Sequence, residues 1–197
     1  EKTGVNIEDV SLGIGLDQRI GSRFLRAGPA YGGSCFPKDT KAITVTGDLF
    51  KTDLSIIKSV IRSNEKRRSL LIQRVQKILS NKIKNKRIVF LGVTFKPNTD
   101  DMRESSSPSM ISFLLKRKAK INYYDPSGEK KEFSKLNNVS YCNSLKEACK
   151  NVDLVIIYTE WEEFKALDFN KLCKKNKFKI FDMRNLYSHE LMKKKGF

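Results

Sequence analysis

The sequence has 197 residues, enough for one large domain or two small ones. With 39% hydrophobic and 10% aromatic residues it can build a core, which argues against a disordered tail. No apolar run reaches the roughly 20 residues that span a bilayer, so we expect no membrane partner. The chain begins at Glu1 without an apolar leader, and we therefore expect a cut end of a longer chain.

Lysine and arginine total 39 against 22 acidic residues, for a formal net charge of +17. This balance is compatible with a nucleic-acid partner, but also with a lysine-rich surface that is only solvated. The lysines are spread through every segment, which favours the solvated surface and predicts no nucleic-acid partner. Four scattered cysteines without a C-x-x-C pair, and a single histidine, argue against a metal site and are typical of a reducing cytoplasm.

The first fifty residues predict short helices on either side of a glycine-rich loop. Asn6, followed by two acidic residues, is typical of a helix start. The glycine-rich loop covers residues 28–39. Pro37 suits the first turn of a second helix, which we expect to run through Leu49.

Residues 54–84 predict one long amphipathic helix, because apolar residues recur near a 3.6-residue period. The apolar positions are Ile57, Val60, Ile61, Leu71, Ile72, Val75, Ile78 and Leu79. Basic residues fill the other positions, and plain solvation accounts for them. A helix of this length is suited to connect two domains, which we place at residues 1–84 and 85–197.

Residues 86–197 alternate short apolar strands with helical stretches, which predicts a parallel α/β sheet. The predicted strands are residues 87–92, 121–126 with a turn, 153–158 and 179–182, and the predicted helices are 108–116 and 145–150. The apolar run 154–157 fits a strand that is buried on both faces. Because ligands bind outside the carboxyl ends of parallel strands, we expect a site at the ends of these strands.

The glycine-rich loop contains the sharpest candidate for chemistry. Gly32 and Gly33 allow a tight turn and a close approach, and Cys35 stands just before the helix that Pro37 opens. Backbone N–H groups at a helix start favour a thiolate, and Lys38 adds a positive charge. The pattern is compatible with a nucleophilic cysteine, but also with a thiol that is only a small buried hydrophobe.

Five segments together resemble the nucleotide-sugar dehydrogenase family, which includes the enzymes for UDP-glucose and GDP-mannose. They are Gly-Gly-Ser-Cys-Phe-Pro-Lys-Asp at 32–39, Asp-Gln-Arg-Ile-Gly at 17–21, residues 92–105, Thr-Glu-Trp at 159–161 and residues 181–187. They occur in the family's order over nearly the whole chain. The resemblance implies a helical dimerisation segment, a long connecting helix and a Rossmann-like UDP-binding domain.

The resemblance also implies what the chain lacks. Members of the family begin with an NAD-binding Rossmann domain, and no G-x-G-x-x-G occurs in this sequence. We therefore expect the C-terminal half of an enzyme, inactive alone, that forms a homodimer or a higher homo-oligomer.

For the UDP-glucose branch, the resemblance implies an NAD-dependent four-electron oxidation of UDP-glucose to UDP-glucuronate. Cys35 would attack the intermediate aldehyde, form a thiohemiacetal and then a thioester, and Asp39 would help to position water. The alternatives are an enzyme for another nucleotide sugar (GDP-mannose or UDP-N-acetylmannosamine), a basic nucleic-acid-binding module, or a catalytically dead relative. The presence of Cys35, Lys38 and Asp39 argues against the dead relative.

The resemblance assigns binding roles as well. Lys38 and Arg103 match residues near the NAD cofactor, and an arginine fork suits phosphate. The residues that match the substrate site are Arg19, Phe24, Leu25, Arg26, Ala27, Gly28, Tyr31, Gly32, Phe95, Lys96 and Arg184. Arg19 matches a residue that reaches the neighbouring subunit's site. Any of these basic residues taken alone would be read as a solvated surface charge.

Two positions depart from the family pattern. Ala30 and Met183 stand where relatives usually have glycine. If either backbone position requires a positive φ, a side chain there is strained. The departure at Met183 bears on the role of the adjacent Arg184.

Overall fold

The computed structural model describes residues 2–173 and 177–197, and in this part a helical region precedes a parallel sheet. The helical region contains α1 (Ile7–Gly15), α2 (Phe36–Leu49) and α3 (Ser55–Ile78). Asn6 caps α1 by accepting a hydrogen bond from the Glu8 backbone N–H, as the sequence predicts. The predicted end of α2 at Leu49 is likewise confirmed.

The long helix α3 is shorter than predicted. It ends at Ile78 rather than at residue 84, because Ser80 and Asn81 adopt left-handed backbone angles of φ 51° and 59°. This turn redirects the chain toward the sheet, and Leu79 and Ile83 are buried in the core. The apolar residues that extend the periodic pattern past Ile78 therefore serve the core of the sheet region and not the helix.

The second region is a five-stranded sheet in the order β3-β2-β1-β4-β5, with every pairing parallel. Its strands are β1 (Arg87–Leu91), β2 (Lys120–Tyr124), β3 (Val139–Tyr141), β4 (Leu154–Ile157) and β5 (Lys179–Asp182). Its α-helices are α4 (Ser107–Lys116), α5 (Leu145–Ala148), α6 (Phe169–Leu172) and α7 (His189–Lys194), with a 3-10 turn at Glu162–Phe164. The predicted α/β class is confirmed. The strand β3 was not predicted, because it is a three-residue edge strand without an apolar run.

Both faces of the sheet are covered, as the apolar runs predict. On one face Ile88 and Phe90 of β1 pack into a core that includes Leu71 and Val75 of α3. On the other face Val89 and Leu91, with the matching residues of β4, pack with α5 and α6. Side chains alternate across a strand, so one short strand supplies both cores.

The direction of the chain across the sheet reverses between β1 and β4. From β1 the chain proceeds to β2 and β3 on one side, and it then crosses to β4 and β5 on the other. A ligand crevice is expected at this point, outside the carboxyl ends of the two strands. The segments that follow β1 and β4 are in close contact there. Gly92, directly after β1, has φ +73°, and a Cβ on it would lie 2.4 Å from Cβ of Thr159, which follows β4.

The described ranges contain neither a helix that could span a membrane nor a group of metal ligands. None of the helices at 2–173 or 177–197 combines the length and the apolar character needed to cross a bilayer. Over the same ranges, no three His, Cys, Asp or Glu side chains are grouped as metal ligands would be.

Candidate functional site

A cleft of about 640 Å³ lies between the glycine-rich loop, α3 and the end of β1. It is lined by Arg26, Ala27, Gly28, Ala30, Tyr31, Gly32, Val60, Ser63, Asn64, Arg67, Phe95 and Arg184. Seven of the eleven substrate residues predicted from the resemblance are in this set. Three arginines line the cleft, and none of the described lining residues carries a carboxylate. The charge of the cleft therefore suits an anion such as a diphosphate.

Arg184 connects the ends of two strands in this cleft. Its Nε donates to the Tyr158 carbonyl at 2.8 Å, and its Nη2 donates to the Phe95 carbonyl at 2.8 Å. Burial lowers the pKa of the Arg184 guanidinium, and the Glu160 carboxylate, 2.9 Å from Nε, opposes that change. A Cβ on Gly28 would lie 2.6 Å from Nη1 of Arg184, so only glycine allows the loop to come this close. Part of the guanidinium is thus committed to the protein's own backbone.

The glycines before Cys35 are used to pack the loop against the sheet region. A Cβ on Gly32 would lie 2.7 Å from the Glu104 carbonyl oxygen. Gly33 has φ +89°, and a Cβ there would lie 2.8 Å from the Phe95 ring. The Gly33 N–H also donates to the Arg103 carbonyl at 2.9 Å. The close approach that the glycines permit is therefore first of all to Phe95 and to the connection between β1 and α4.

Cys35 is exposed and stands at the N-cap of α2. Its Sγ lies 3.6 Å from the Ser34 hydroxyl. The other three cysteines, Cys142, Cys149 and Cys173, are buried. The alternative that Cys35 is a small buried hydrophobe is therefore wrong, because the thiol is open to solvent beside a helix start.

Lys38 and Asp39 occupy the first turn of α2. The Asp39 N–H donates to the Cys35 carbonyl at 2.8 Å, which places the two residues one helical turn apart. Lys38 Nζ lies 3.3 Å from Asp39 Oδ1, and both side chains are mostly exposed. Such an exposed pair holds its geometry weakly and is free to rearrange around a ligand.

Arg103 lies on the segment that contacts the cysteine loop. Its Nη2 and Nε donate to the Asp101 carboxylate at 2.8 and 3.0 Å. These hydrogen bonds hold the pKa of Asp101 below its usual range and raise the pKa of Arg103. The Arg103 carbonyl accepts from the Gly33 N–H at 2.9 Å, so the predicted cofactor residue lies against the loop that carries the predicted nucleophile.

Four predicted substrate residues do not line the cleft. Arg19 pairs with Asp17 at 2.6 Å and is exposed. Phe24 is 97% exposed with φ 66°, and the Leu25 carbonyl accepts a hydrogen bond from Ser11 at 2.8 Å. The Lys96 ammonium lies over the Phe95 ring, 5.4 Å from its centroid. Lys96 is thus next to the cleft, whereas the other three lie on the helical region.

The contribution of α3 to the cleft was not predicted from the sequence, and Asn64 is the clearest case. Its Oδ1 accepts from the Tyr31 N–H at 2.9 Å, and its Nδ2 donates to the Tyr31 carbonyl at 3.1 Å. A signal was present, because the apolar positions of the helix follow a regular period that is interrupted at Asn64 and Arg68. Polar residues on an otherwise apolar stripe indicate a specific polar contact.

The two departures from the family pattern cause no backbone strain. Neither Ala30 nor Met183 is among the described residues with positive φ. Met183 is buried in the core on the α3 side of the sheet, and Ala30 lines the cleft. The concern that a side chain at these positions is strained is therefore unfounded.

At the carboxyl end of β2, the carboxylate of Asp125 is engaged in contacts within the protein. In dinucleotide-binding folds a carboxylate at this place binds a ribose. Here Asp125 is fully buried, accepts from the Val93 N–H at 2.8 Å and lies 3.7 Å from Lys130 Nζ. Asp125 is thus already satisfied and does not face a ligand.

Comparison with known families matches both regions of the chain. Residues 89–189 match the UDP-binding domain of the UDP-glucose/GDP-mannose dehydrogenase family, and residues 1–66 match its central domain. A UDP-glucose 6-dehydrogenase of Rickettsia felis is 44% identical over the whole chain, and one of Rhizobium meliloti is 40% identical. The chain covers 45% of each of these relatives, a little under half of their length.

Solved structures give the same result. A UDP-glucose dehydrogenase from Pyrobaculum islandicum superposes with a TM-score of 0.82 at 34% identity, over 94% of this chain and 42% of that one. An NDP-N-acetyl-D-galactosaminuronic acid dehydrogenase from Methanosarcina mazei superposes with a TM-score of 0.84 at 23% identity, over 100% of this chain and 44% of that one. The second likeness concerns the fold alone.

Proposed function

Because the chain belongs to the UDP-glucose/GDP-mannose dehydrogenase family, we propose that it is the part of a nucleotide-sugar dehydrogenase that binds UDP-glucose and carries the nucleophilic cysteine. One observation carries the proposal. An arginine-lined cleft at the reversal point of the sheet adjoins, through Gly33 and Phe95, the loop that ends in the exposed Cys35. The rest of the enzyme would be supplied by residues outside this chain.

In the proposed complex the nucleotide occupies the cleft. The arginine side chains at 26, 67 and 184 provide positive charge for a diphosphate, and Nη1 of Arg184 can contribute although Nε and Nη2 donate to backbone carbonyls. The rings of Tyr31 and Phe95 supply flat apolar surfaces. The sugar then extends toward Cys35.

Cys35 acts on the aldehyde that the first oxidation of C6 produces. Its thiolate adds to the carbonyl carbon, and the carbonyl oxygen takes up a proton to give a thiohemiacetal. Loss of a hydride from that carbon and of the proton from its hydroxyl group leaves a thioester, and the hydride would be taken up by a nicotinamide cofactor. Water, positioned by Asp39, adds to the thioester and releases the carboxylate of UDP-glucuronate and the free thiol. Holding the carbon on sulfur allows two oxidations at one site.

NAD⁺ would accept the two hydrides. The sheet in this chain is not suited to hold it, because Asp125 is buried and satisfied and no G-x-G-x-x-G is present in the sequence. Lys38 and Arg103 are exposed cations beside Cys35, and they suit the phosphates of a dinucleotide bound by another domain. The chain alone is therefore expected to bind substrate without reducing NAD⁺.

The proposed organisation has a helical dimerisation region with a connecting helix at 1–84 and a UDP-binding region at 85–197. The helical region exposes many large apolar side chains, including Leu12, Leu16, Leu49 and Phe50. Exposed apolar surface of this extent marks an interface, and a second copy of the chain is the proposed partner.

Ligand-induced stabilisation tests the proposal. UDP or UDP-glucose at 100 times Kd should stabilise the chain by about 2.7 kcal/mol, which raises Tm by about 5–10 °C for a domain of this size. GDP-mannose serves as the control, and a larger shift with it would move the assignment to another nucleotide. No shift with millimolar UDP or UDP-glucose would overturn the proposed binding function.

A thiol assay tests the proposed nucleophile. Iodoacetamide should alkylate Cys35 alone in the folded chain, since the other three cysteines are buried. In the whole enzyme, Cys35→Ser should abolish formation of UDP-glucuronate and leave UDP-glucose binding intact. Full turnover by that variant would remove Cys35 from the mechanism.

A further inference from the structure

Two polar residues on α3 contact the segments that form the joint between the cysteine loop and the sheet region, which is the contact of Gly32 and Gly33 with Arg103 and Glu104. We propose that Asn64 and Arg68 are positioning residues for the UDP-sugar site, because each fixes one of the two segments that meet in front of Cys35. They are one helical turn apart and are called here the α3 clamp. The inference rests on the proposed function and adds to it two residues that determine how the site is held.

The Asn64 arm of the clamp fixes the substrate loop. The amide both accepts from the Tyr31 N–H, at 2.9 Å, and donates to the Tyr31 carbonyl, at 3.1 Å. One side chain thus satisfies both backbone groups of a residue 33 positions away, much as a neighbouring strand would. Tyr31 lines the cleft, so Asn64 sets the position of a cleft wall.

The Arg68 arm fixes the connection between β1 and α4. Nη2 of Arg68 donates to the Glu104 carbonyl at 3.0 Å and to its carboxylate at 3.1 Å. Lys41 of α2 lies 3.6 Å from the other carboxylate oxygen. Glu104 has φ 54°, an unfavourable angle for a residue with a side chain, and these contacts hold it there.

The two clamped segments touch each other directly. Gly32 packs on the Glu104 carbonyl, and the Gly33 N–H donates to the Arg103 carbonyl. The joint lies between the cleft wall on one side and Cys35 on the other. Loosening either arm should therefore disturb both nucleotide binding and the exposure of Cys35.

The positions of the two residues also argue for a specific role. They fall on the stripe of α3 that otherwise presents apolar residues to the rest of the molecule, such as Ile61 and Leu71. An apolar residue at either place would serve packing alone, whereas a polar residue specifies one arrangement of its partners. We therefore expect their loss to affect geometry more than stability.

Matched substitutions on the same helix provide the test. Asn64→Ala and Arg68→Met remove the two arms, and Gln73→Ala and Arg62→Met remove an amide and a guanidinium from exposed positions of α3. For each chain we would measure the Kd for UDP by calorimetry, the rate of Cys35 alkylation by iodoacetamide from pH 6 to 10, and Tm. The conservative change Arg68→Lys is included for partial rescue.

The clamp predicts a specific pattern. Each arm variant should bind UDP at least about tenfold more weakly and should change the Cys35 alkylation rate severalfold, while both controls stay within about twofold of the original chain. UDP should alter the alkylation rate of the original chain and of the controls much more than that of the arm variants. Arg68→Lys should recover part of the affinity, because it keeps the charge but not both contacts.

The outcomes separate this inference from the proposed function. If the original chain binds UDP and the arm variants bind it equally well with unchanged alkylation, the clamp is overturned and the proposed function stands. If the original chain does not bind UDP, the proposed function fails, and the ligand-free alkylation rates still test whether the clamp positions Cys35. Should Asn64→Ala fail to fold, Asn64→Ser takes its place, since it is neutral and polar but too short to keep both hydrogen bonds to Tyr31.

Discussion

The sheet region and the helical region differ sharply in how they treat their apolar side chains. In the sheet region Ile88, Phe90 and Ile156 are completely buried. In the helical region α1 buries no residue, and Leu12 and Leu49 are 67% and 76% exposed. The sheet region together with the second half of α3 forms a packed core, whereas α1 and α2 present apolar surface that an interface would cover.

This difference assigns separate tasks to the two regions. The sheet region can hold the cleft residues Phe95 and Arg184 rigidly, because they follow buried parallel strands. The helical region supplies Cys35 and the loop, and it is joined to the sheet region by the buried side chains of Leu71 and Val75 and by the hydrogen bond from Arg68 to the Glu104 carbonyl. The proposed nucleophile thus lies on the less buried region, whereas Phe95 and Arg184 follow buried strands.

The largest predicted effect is a difference in the free energy of unfolding between two variants, each with one apolar side chain truncated in one of the two regions. Ile156→Ala should lower the free energy of unfolding by about 2–5 kcal/mol, because it leaves a cavity in a close-packed strand. Leu49→Ala should change it by less than about 0.5 kcal/mol, since this side chain is exposed. Urea unfolding measures both. Equal losses would show that the helical face is covered in solution, and repeating the measurement at tenfold dilution would identify self-association.

The next effect concerns the buried ion pair at the end of β2. Lys130 and Asp125 have side chains 4% and 0% exposed, so Lys130→Met would leave a buried carboxylate without its cation. We expect a loss of about 3 kcal/mol in urea unfolding. Lys131→Met, at the exposed next position, is the control. A loss no larger than that of the control would mean that the pair adds nothing to the sheet region.

A smaller effect is expected at the junction of the two regions. Gly33→Ala should cost about 2 kcal/mol, since it combines a positive φ with a clash against the Phe95 ring. Gly128 has a similar φ, +90°, with open space around it, so Gly128→Ala should show only the backbone cost of about 1 kcal/mol. Thermal unfolding with and without UDP compares the two. Equal losses of stability in the two variants would show that the packing of Gly33 on Phe95 adds nothing to the effect of Gly33→Ala.

The smallest effect is a dependence on pH at the same junction. The Arg68 guanidinium holds the pKa of Glu104 below its usual range. A carboxylate with a lowered folded pKa stabilises the protein above its unfolded pKa of about 4.3, and this contribution is lost as pH falls through the folded value. The stability difference between the original chain and Glu104→Gln should therefore shrink between about pH 5 and pH 3. It should stay under about 1 kcal/mol because the pair is partly exposed, and Tm against pH measures it. A difference that is constant over that range would contradict the assignment.

Much of the fold could be predicted because its signals are local. The cap at Asn6, the proline of α2 and the apolar run of β4 each act through their own neighbours in sequence. The edge strand β3 was missed because it is short and has little apolar surface to bury. The end of α3 was misplaced because the apolar period continues into residues that belong to the sheet region's core.

The candidate site was harder to predict where it depends on distant contacts. Of the residues that the family motifs predicted, Tyr31, Phe95 and five others line one cleft. Outside its lining are Arg19, Phe24, Leu25 and Lys96. Asn64 was missed because its partner, Tyr31, is 33 positions away and no motif connects them. Likewise, Asp125 is buried because it pairs with Lys130 and accepts from the Val93 N–H of another loop. Composition cannot indicate such contacts.

The central place of β1 in the sheet has a consequence for how the chain folds. Both neighbours of β1 come later in the sequence, and the contact between Arg87 and Asp153 closes a loop of 66 positions. Closing such loops raises the contact order and slows folding, so β1 leaves the ribosome long before its partners exist. During that interval its apolar surface is exposed and prone to aggregation.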